Sequence, residues 1–432
     1  MVHPRLAPTA HANPVDAFGF GGRAPAMAGA QTAAADDGSA NYYNPALLAT
    51  YDDIRVDIGY QTAVPNLEVN DLDLDVDASR GFAVALSSPG RIGPVELAVS
   101  GALFMPDQHI LRARAVEATQ PRFALYDNRP QRLFLAANVA VKIGPRLFIG
   151  GGIAYMAKTV AAVDLAGRLG YPDAERSDLA LAIDADVEPL RYPQAGALFH
   201  ATPWLDVGAT YRGGYKLVLD NTVRVLADIG SEEMPIVEDG SLALHALAQD
   251  LFQPEQWSTG LAAQVTPDLL LAFDLSYHRW SKFENPATRI ELAIDAGQFN
   301  DLIDIPPPTR LPRPHYSDIA IPRVAAELAL LRGPRHRLDL RGGYAYEPSP
   351  VPEQIGSSNF IDNDKHTASL GAGLTLAGVT EILLRPTRLD AFVALTYLSP
   401  REHHKLSPVD AVGDYRASGK IMQAGISSVW HF

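Results

Sequence analysis

Asp71, Asp73, Asp75 and Asp77 alternate with Leu72, Leu74 and Val76, so an extended chain puts all four carboxylates on one side. Hard oxygen ligands in such a row suit calcium bridging lipopolysaccharide phosphates, but the glycine and distal glutamate of an EF-hand loop are missing. A solvated loop is the plainer reading. His11, His403 and His404 have no second metal-ligating side chain at useful spacing. Neither a Gly-x-Ser-x-Gly elbow nor a phosphate-cradling glycine loop is present. Ser258, Ser276 and His278 could be drawn as a lipase-like site, with nothing specific behind the drawing. Cysteine is absent, which removes thiolate catalysis and disulfide frameworks. The expectation is a protein with no catalytic residues, no metal and no cofactor.

Fifty acidic against 36 basic residues give a net charge of -14, the wrong sign for a nucleic-acid partner. The 432 residues would suffice for two or three soluble domains, yet no linker divides them. No apolar run approaches the roughly 18 to 20 residues of a membrane-spanning helix.

Past Asp53 the pattern is alternation. Ile54, Val56, Ile58 and Tyr60 oppose Arg55, Asp57, Gly59 and Gln61, and Val95, Leu97 and Val99 oppose Glu96, Ala98 and Ser100. The same two-sidedness recurs about fourteen times, near 54–64, 81–88, 94–105, 130–143, 146–158, 193–201, 204–217, 256–266, 268–281, 318–332, 335–346, 366–377, 388–398 and 416–432. Tight turns such as Ser88 to Arg91, Gly144 to Arg146 and Gly333 to Arg335 alternate with long loops such as 65–78, 159–192 and 218–255. A soluble sandwich also alternates, but this turn rhythm and an even strand count are those of an outer-membrane barrel. Tyr60, Tyr155, Tyr211, Tyr215, Trp257, Tyr277, Trp280, Tyr397 and Trp430 stand near strand ends, as an aromatic girdle requires. The last strand closes on Trp430-His431-Phe432, and Phe432 is expected to be what the barrel-insertion machinery reads.

If the apolar faces meet lipid, the lumen collects Arg55, Asp57, Glu96, Arg132, Lys142, Asp206, Arg212, Asp274, Arg323, Glu327, Arg337, Asp339, Arg341 and Asp390. Structural ion pairing is one reading of these charges. The other is that Arg212, Arg323 or Arg341 meets a carboxylate head group.

Before the first strand, residues 13–50 are rich in Gly, Ala and small polar residues, with neither strand nor helix periodicity. Such a stretch can fill the inside of something else. Within it, Gly21-Gly22-Arg23-Ala24, Asp36-Asp37 and Asn44-Pro45-Ala46 resemble the N-terminal hatch of the FadL/TodX outer-membrane transporters of long-chain fatty acids and aromatic hydrocarbons. Three later stretches match the same family in order: Trp204 to Arg212, Gln256-Trp257 with Ser276 to Ser281, and Tyr344 with Ser349 to Pro352.

The resemblance implies an all-β, 14-stranded antiparallel transmembrane barrel over residues 51–432, plugged by a hatch over 13–50. Residues 1–12 then read as the remnant of a signal region ending at Ala10-His11-Ala12; the alternative is a chain that is not exported. It also implies diffusion of hydrophobic molecules such as fatty acids, capture among the outer loops, and lateral exit through a kink in the third strand. That opening falls at Ser100, Gly101 and Phe104, facing Asn44-Pro45-Ala46, because a strand glycine and Pro106 weaken pairing there. Ile110-Leu111, residues 179–183 and a helix over 242–252, with Leu244, Leu247, Leu251 and Phe252 on its apolar side, would supply the capture surface. The expected surroundings are a bilayer with lipopolysaccharide, and the expected state is a monomer. The rival is a structural or adhesive outer-membrane barrel whose outer loops bind a partner.

Overall fold

The computed structural model describes residues 14–108, 120–123, 125–126, 133–169, 174–230, 235–284, 289–302, 313–378, 385–408 and 410–432. The signal-region residues 1–12, Ile110-Leu111 and Arg132 lie outside the described residues.

Fourteen strands follow one another around a ring: β1 (Arg55–Val69), β2 (Ser79–Ile92), β3 (Val95–Pro106), β4 (Phe134–Ile143), β5 (Leu147–Leu169), β6 (Asp178–Thr202), β7 (Leu205–Arg212), β8 (Gln256–Thr266), β9 (Leu269–His278), β10 (Ile319–Arg332), β11 (His336–Glu347), β12 (Lys365–Leu376), β13 (Thr387–His403) and β14 (Tyr415–His431). Each pairs antiparallel with the next, and β14 pairs with β1 along the whole of β1, from Arg55↔His431 to Val69↔Ala417. The ring is therefore a closed barrel, with no ring strand left at an open edge.

Parity assigns the two faces. Ile58, Val99, Val139, Phe273 and Val393 are exposed on the outside, while Asp57, Ser100, Asn138, Asp274 and Asp390 on the alternate positions are buried inside. Tyr60, Tyr211, Trp257, Tyr277, Tyr344 and Tyr397 face outward near the long-loop ends, with Tyr211, Trp257 and Tyr277 forming one tilted stack. Two aromatics expected in this girdle turn inward instead. Tyr215 sits inside the barrel against Tyr192, and Trp280 is buried in an apolar cap with Phe252, Phe283 and Tyr316.

The turn expected at Ser88 to Arg91 comes later. β2 continues to Ile92, and Gly93, at a φ of 59° that favours glycine, makes the reversal with Pro94. β5 and β6 run 23 and 25 residues, more than twice what crossing a bilayer needs. Their outer halves join Tyr215–Gly230, Pro235–Gln253 and Arg289–Asp295 in a sheet that extends the wall beyond the ring.

The helix expected over 242–252 is thus a strand. Leu242, Leu244 and Leu247 satisfy a helical stripe, but Leu242-Ala243-Leu244-His245 also alternates, and the neighbouring strand pairs with Leu242 to Gln249 without a break. Leu244 is half-buried there and Phe252 belongs to the apolar cap; for Leu247 and Leu251 only the backbone is described.

Candidate functional site

Residues 14–50 form three short helices, α1 (Pro14–Phe18), α2 (Arg23–Ala26) and α3 (Ala40–Tyr43), followed by a 3-10 turn at Pro45–Thr50. None is long enough to be stable alone, so the wall around them must hold them. Asn44 caps the last turn by accepting from Ala46 N at 3.0 Å, with Pro45 at the first position where a missing N–H costs nothing. Its amide nitrogen donates to Thr32 O at 2.7 Å and to Ala197 O of β6 at 3.0 Å. A Cβ on Gly150 of β5 would run into the backbone of Pro45 and Ala46, and one on Gly196 of β6 would lie 3.1 Å from Pro45 Cδ while striking Asn44. Asn44-Pro45-Ala46 is therefore seated on β5 and β6, where backbone meets backbone, while Ala46 shares a buried apolar cluster with Ala98 of the third strand.

One side of the ring holds this segment by charge. Arg23, 1% exposed, donates to Glu327 Oε2 of β10 at 2.8 Å, Gln31 Oε1 at 2.9 Å and Ala34 O at 2.7 Å. Burial opposes its charge, but Asp36 and Glu327 more than offset that, so its pKa is raised above the ordinary arginine value. Arg341 of β11 donates to the same Glu327 oxygen at 2.6 Å and also pairs with Asp390 of β13. Arg388 of β13 bridges Asp390 at 2.8 Å, Asp36 at 2.9 Å and Asp37 at 3.1 Å. Gly373, opposite Asp390 in the ladder, leaves room for the Arg341 guanidinium.

The other side holds it without charge. Asn41 Nδ2 donates to Ser100 Oγ of β3 at 2.8 Å, and Asn138 of β4 and Gln194 of β6 donate to Asn41 oxygens at 3.0 and 2.8 Å. The rest of that wall is small or aromatic: Ala83, Ala85, Ala102, Ala136 and Ala154 with Phe104 and Phe134, all buried. Asn41, Asn138 and Gln194 were missed in the sequence, although the inward parity of Asn138 and Gln194 on their strands was a usable signal.

The break expected near Gly101 is absent. β3 pairs with β2 from Gly81↔Pro106 to Ile92↔Val95 without a register shift, and with β4 from Leu97↔Val141 to Phe104↔Phe134. Gly101 faces outward, with Ala136 O at an ordinary contact distance of 3.6 Å from its Cβ position, whereas Ser100 and Phe104 point into the barrel. Pro106 is the last residue of the strand, where it removes no interior ladder bond. Glu96 and Lys142 pair at 2.6 Å at the exposed turn end, not in the buried lumen, and Asp206 pairs with His200 at 2.5 Å nearby. Glu96, Lys142 and His200 line, with Tyr51 and Phe148, a cavity of about 430 Å³ beneath the segment.

A second cavity, of about 120 Å³, lies on the long-loop side of the segment. Phe18, Tyr42 and Tyr43 of the segment and Arg212, Ser276 and Arg323 of the wall line it. The three arginines singled out from the sequence separate here. Arg341 is buried in its ion pairs away from the cavity. Arg212 lies 3.6 Å over the Tyr42 ring, donates to Gln256 Oε1 at 2.6 Å and to Tyr42 O, and stands 3.3 Å from Asp16. Arg323 donates to Ser276 Oγ at 2.7 Å. Asp71 and Asp73 lie on an exposed hairpin, and the described residues contain no group of three or more side chains able to hold a metal.

No protein-family model matches the chain, and no curated protein is similar to it in sequence. Solved structures are similar over nearly its whole length. A Pseudomonas aeruginosa FadL homologue superposes with a TM-score of 0.62 at 14% identity, covering 99% of both chains. The P. putida toluene transporter TodX superposes at 0.57 and 14%, and the Ralstonia pickettii toluene transporter TbuX at 0.52 and 15%; each comparison covers 96% of this chain and 99% of the other. At such identities the likeness establishes a shared fold: a 14-stranded barrel of the FadL and TodX kind.

Proposed function

We propose that this chain is an outer-membrane channel through which hydrophobic or amphiphilic small molecules diffuse, with residues 13–50 as its plug. The observation that carries this reading is the pairing of a closed barrel, apolar outside, with an internal segment that leaves a cavity on each side of itself. The names of the similar structures, a FadL homologue and two toluene transporters, support the cargo class. A water-filled porin would not favour such solutes, whereas a path lined by alanine and aromatic side chains would.

On this reading the cargo passes the segment along the uncharged wall of β2 to β6, where neutral hydrogen bonds must part, and leaves through the turn-end cavity near Tyr51 and Phe148. The outward aromatics of the strand ends sit at the bilayer interface among lipopolysaccharide, the barrel works as a monomer, and Phe432 is read during insertion. The test is uptake by proteoliposomes containing the full-length protein. Toluene and palmitate should equilibrate faster than into protein-free vesicles, and a chain lacking residues 13–46 should insert yet conduct ions far more freely. Vesicles no more permeable than controls, or unchanged conductance on deletion, would overturn the reading. The adhesive alternative has one observation in its favour, the sheet that β5 and β6 carry beyond the ring.

A further inference from the structure

We infer that the cavity above the segment selects a small aromatic monocarboxylate, through Arg323; this rests on the channel reading above and names its cargo more narrowly. Size is the first constraint. A protein cavity of roughly 150 Å³ admits a benzene ring, so the about 120 Å³ here is of the size that one small ring fills. Ring chemistry is the second: Phe18, Tyr42 and Tyr43 border the space, so an aromatic face finds aromatic neighbours.

Charge is the third constraint, because Arg212 and Glu347 on the cavity wall are already ion-paired. Arg212 faces Asp16, Gln256 and the Tyr42 carbonyl. Glu347 accepts from Lys365 at 2.9 Å. Asp274 stands opposite Arg323 in the ladder, but its Oδ2 accepts from the Gln31 and Thr32 amides of the segment at 2.9 and 2.8 Å. Among the described residues the Arg323 guanidinium forms an ion pair with no carboxylate, and its hydrogen bond goes to the neutral Ser276 hydroxyl, which Ser258 also engages at 2.8 Å. A guanidinium offers five donors in a fork that matches a carboxylate, and here it lines the cavity while the Asp274 carboxylate across the ladder is bound to the amides of the segment. A hydrocarbon would leave that fork unanswered.

Calorimetry on the full-length protein in mild detergent tests this with benzoate, its neutral isostere benzamide, and toluene. The wild type should bind benzoate about tenfold or more tighter than benzamide. Arg323→Gln should bring the two within about twofold, and Arg323→Lys should keep a preference for benzoate. Equal affinities in the wild type overturn the inference without recourse to any variant, as does a preference that survives in Arg323→Gln shown by heat-modifiability to be folded. Proteoliposomes that pass toluene and palmitate while the protein shows no benzoate preference would sink the inference and leave the channel standing; vesicles that pass neither solute would remove both.

Discussion

The two sides of the barrel interior hold the same internal segment by opposite means. From β10 to β13, Glu327, Asp339, Arg341, Arg388 and Asp390 form a dense network that takes in Arg23, Asp36 and Asp37. From β2 to β6, alanines, two phenylalanines and a few neutral hydrogen bonds face it. Loss of one partner in a buried ion network strands the others without water, whereas loss of a neutral hydrogen bond costs about 1 kcal/mol. The charged side is therefore the anchor, and the small-residue side is where the segment can part from the wall at low cost.

The sharpest way to break this contrast is Glu327→Ala. Arg23 and Arg341 share that carboxylate, so its removal should destabilise the segment's seating by about 3–5 kcal/mol. Single-channel recording should show frequent large openings; wild-type conductance would mean that the network does not anchor the segment. Next comes Gly150→Val, whose side chain must displace the Pro45 and Ala46 backbone at a cost of about 1–3 kcal/mol. A lower thermal midpoint on unboiled gels is the readout, and an unchanged midpoint would argue against the close approach at β5.

Asn41→Ala removes the neutral contacts to Ser100 and Asn138 and should cost about 1 kcal/mol, while accelerating toluene uptake if the uncharged wall is the path. Slower uptake would place the path elsewhere. Smallest of all should be the effect of Gly101→Arg on transport. Its side chain projects outward, so it should lower the yield of inserted barrel, by up to about 2–4 kcal/mol if it lies near the bilayer midplane. Transport per folded barrel should be unchanged; a folded but blocked variant would restore a lateral exit through β3.

Most of the ring was legible. Fourteen alternating segments correspond to β1 to β14, and parity alone put Asp57, Asp274, Glu327 and Asp390 inside. The site was legible only in its ingredients. Arg212, Arg323 and Arg341 looked equivalent as inward cations, and which of them met a carboxylate depended on neighbours far away in the chain: Asp16 for Arg212, Asp390 for Arg341, and Ser276 for Arg323.

What the chain determined by itself was what a two-residue period and local turn chemistry can carry: which stretches are extended, which side chains share a face, and that Gly144 to Arg146 can reverse direction. What only the tertiary structure decided was everything set by partners distant in sequence. Leu242-Ala243-Leu244-His245 fits two periods, and the edge of Tyr215–Gly230 made it a strand. Gly101 carried the mark of a break, yet unbroken ladders on both sides kept β3 continuous. Backbone groups buried or paired in a barrel need partners, and those partners come from neighbouring strands whose identity no local pattern encodes.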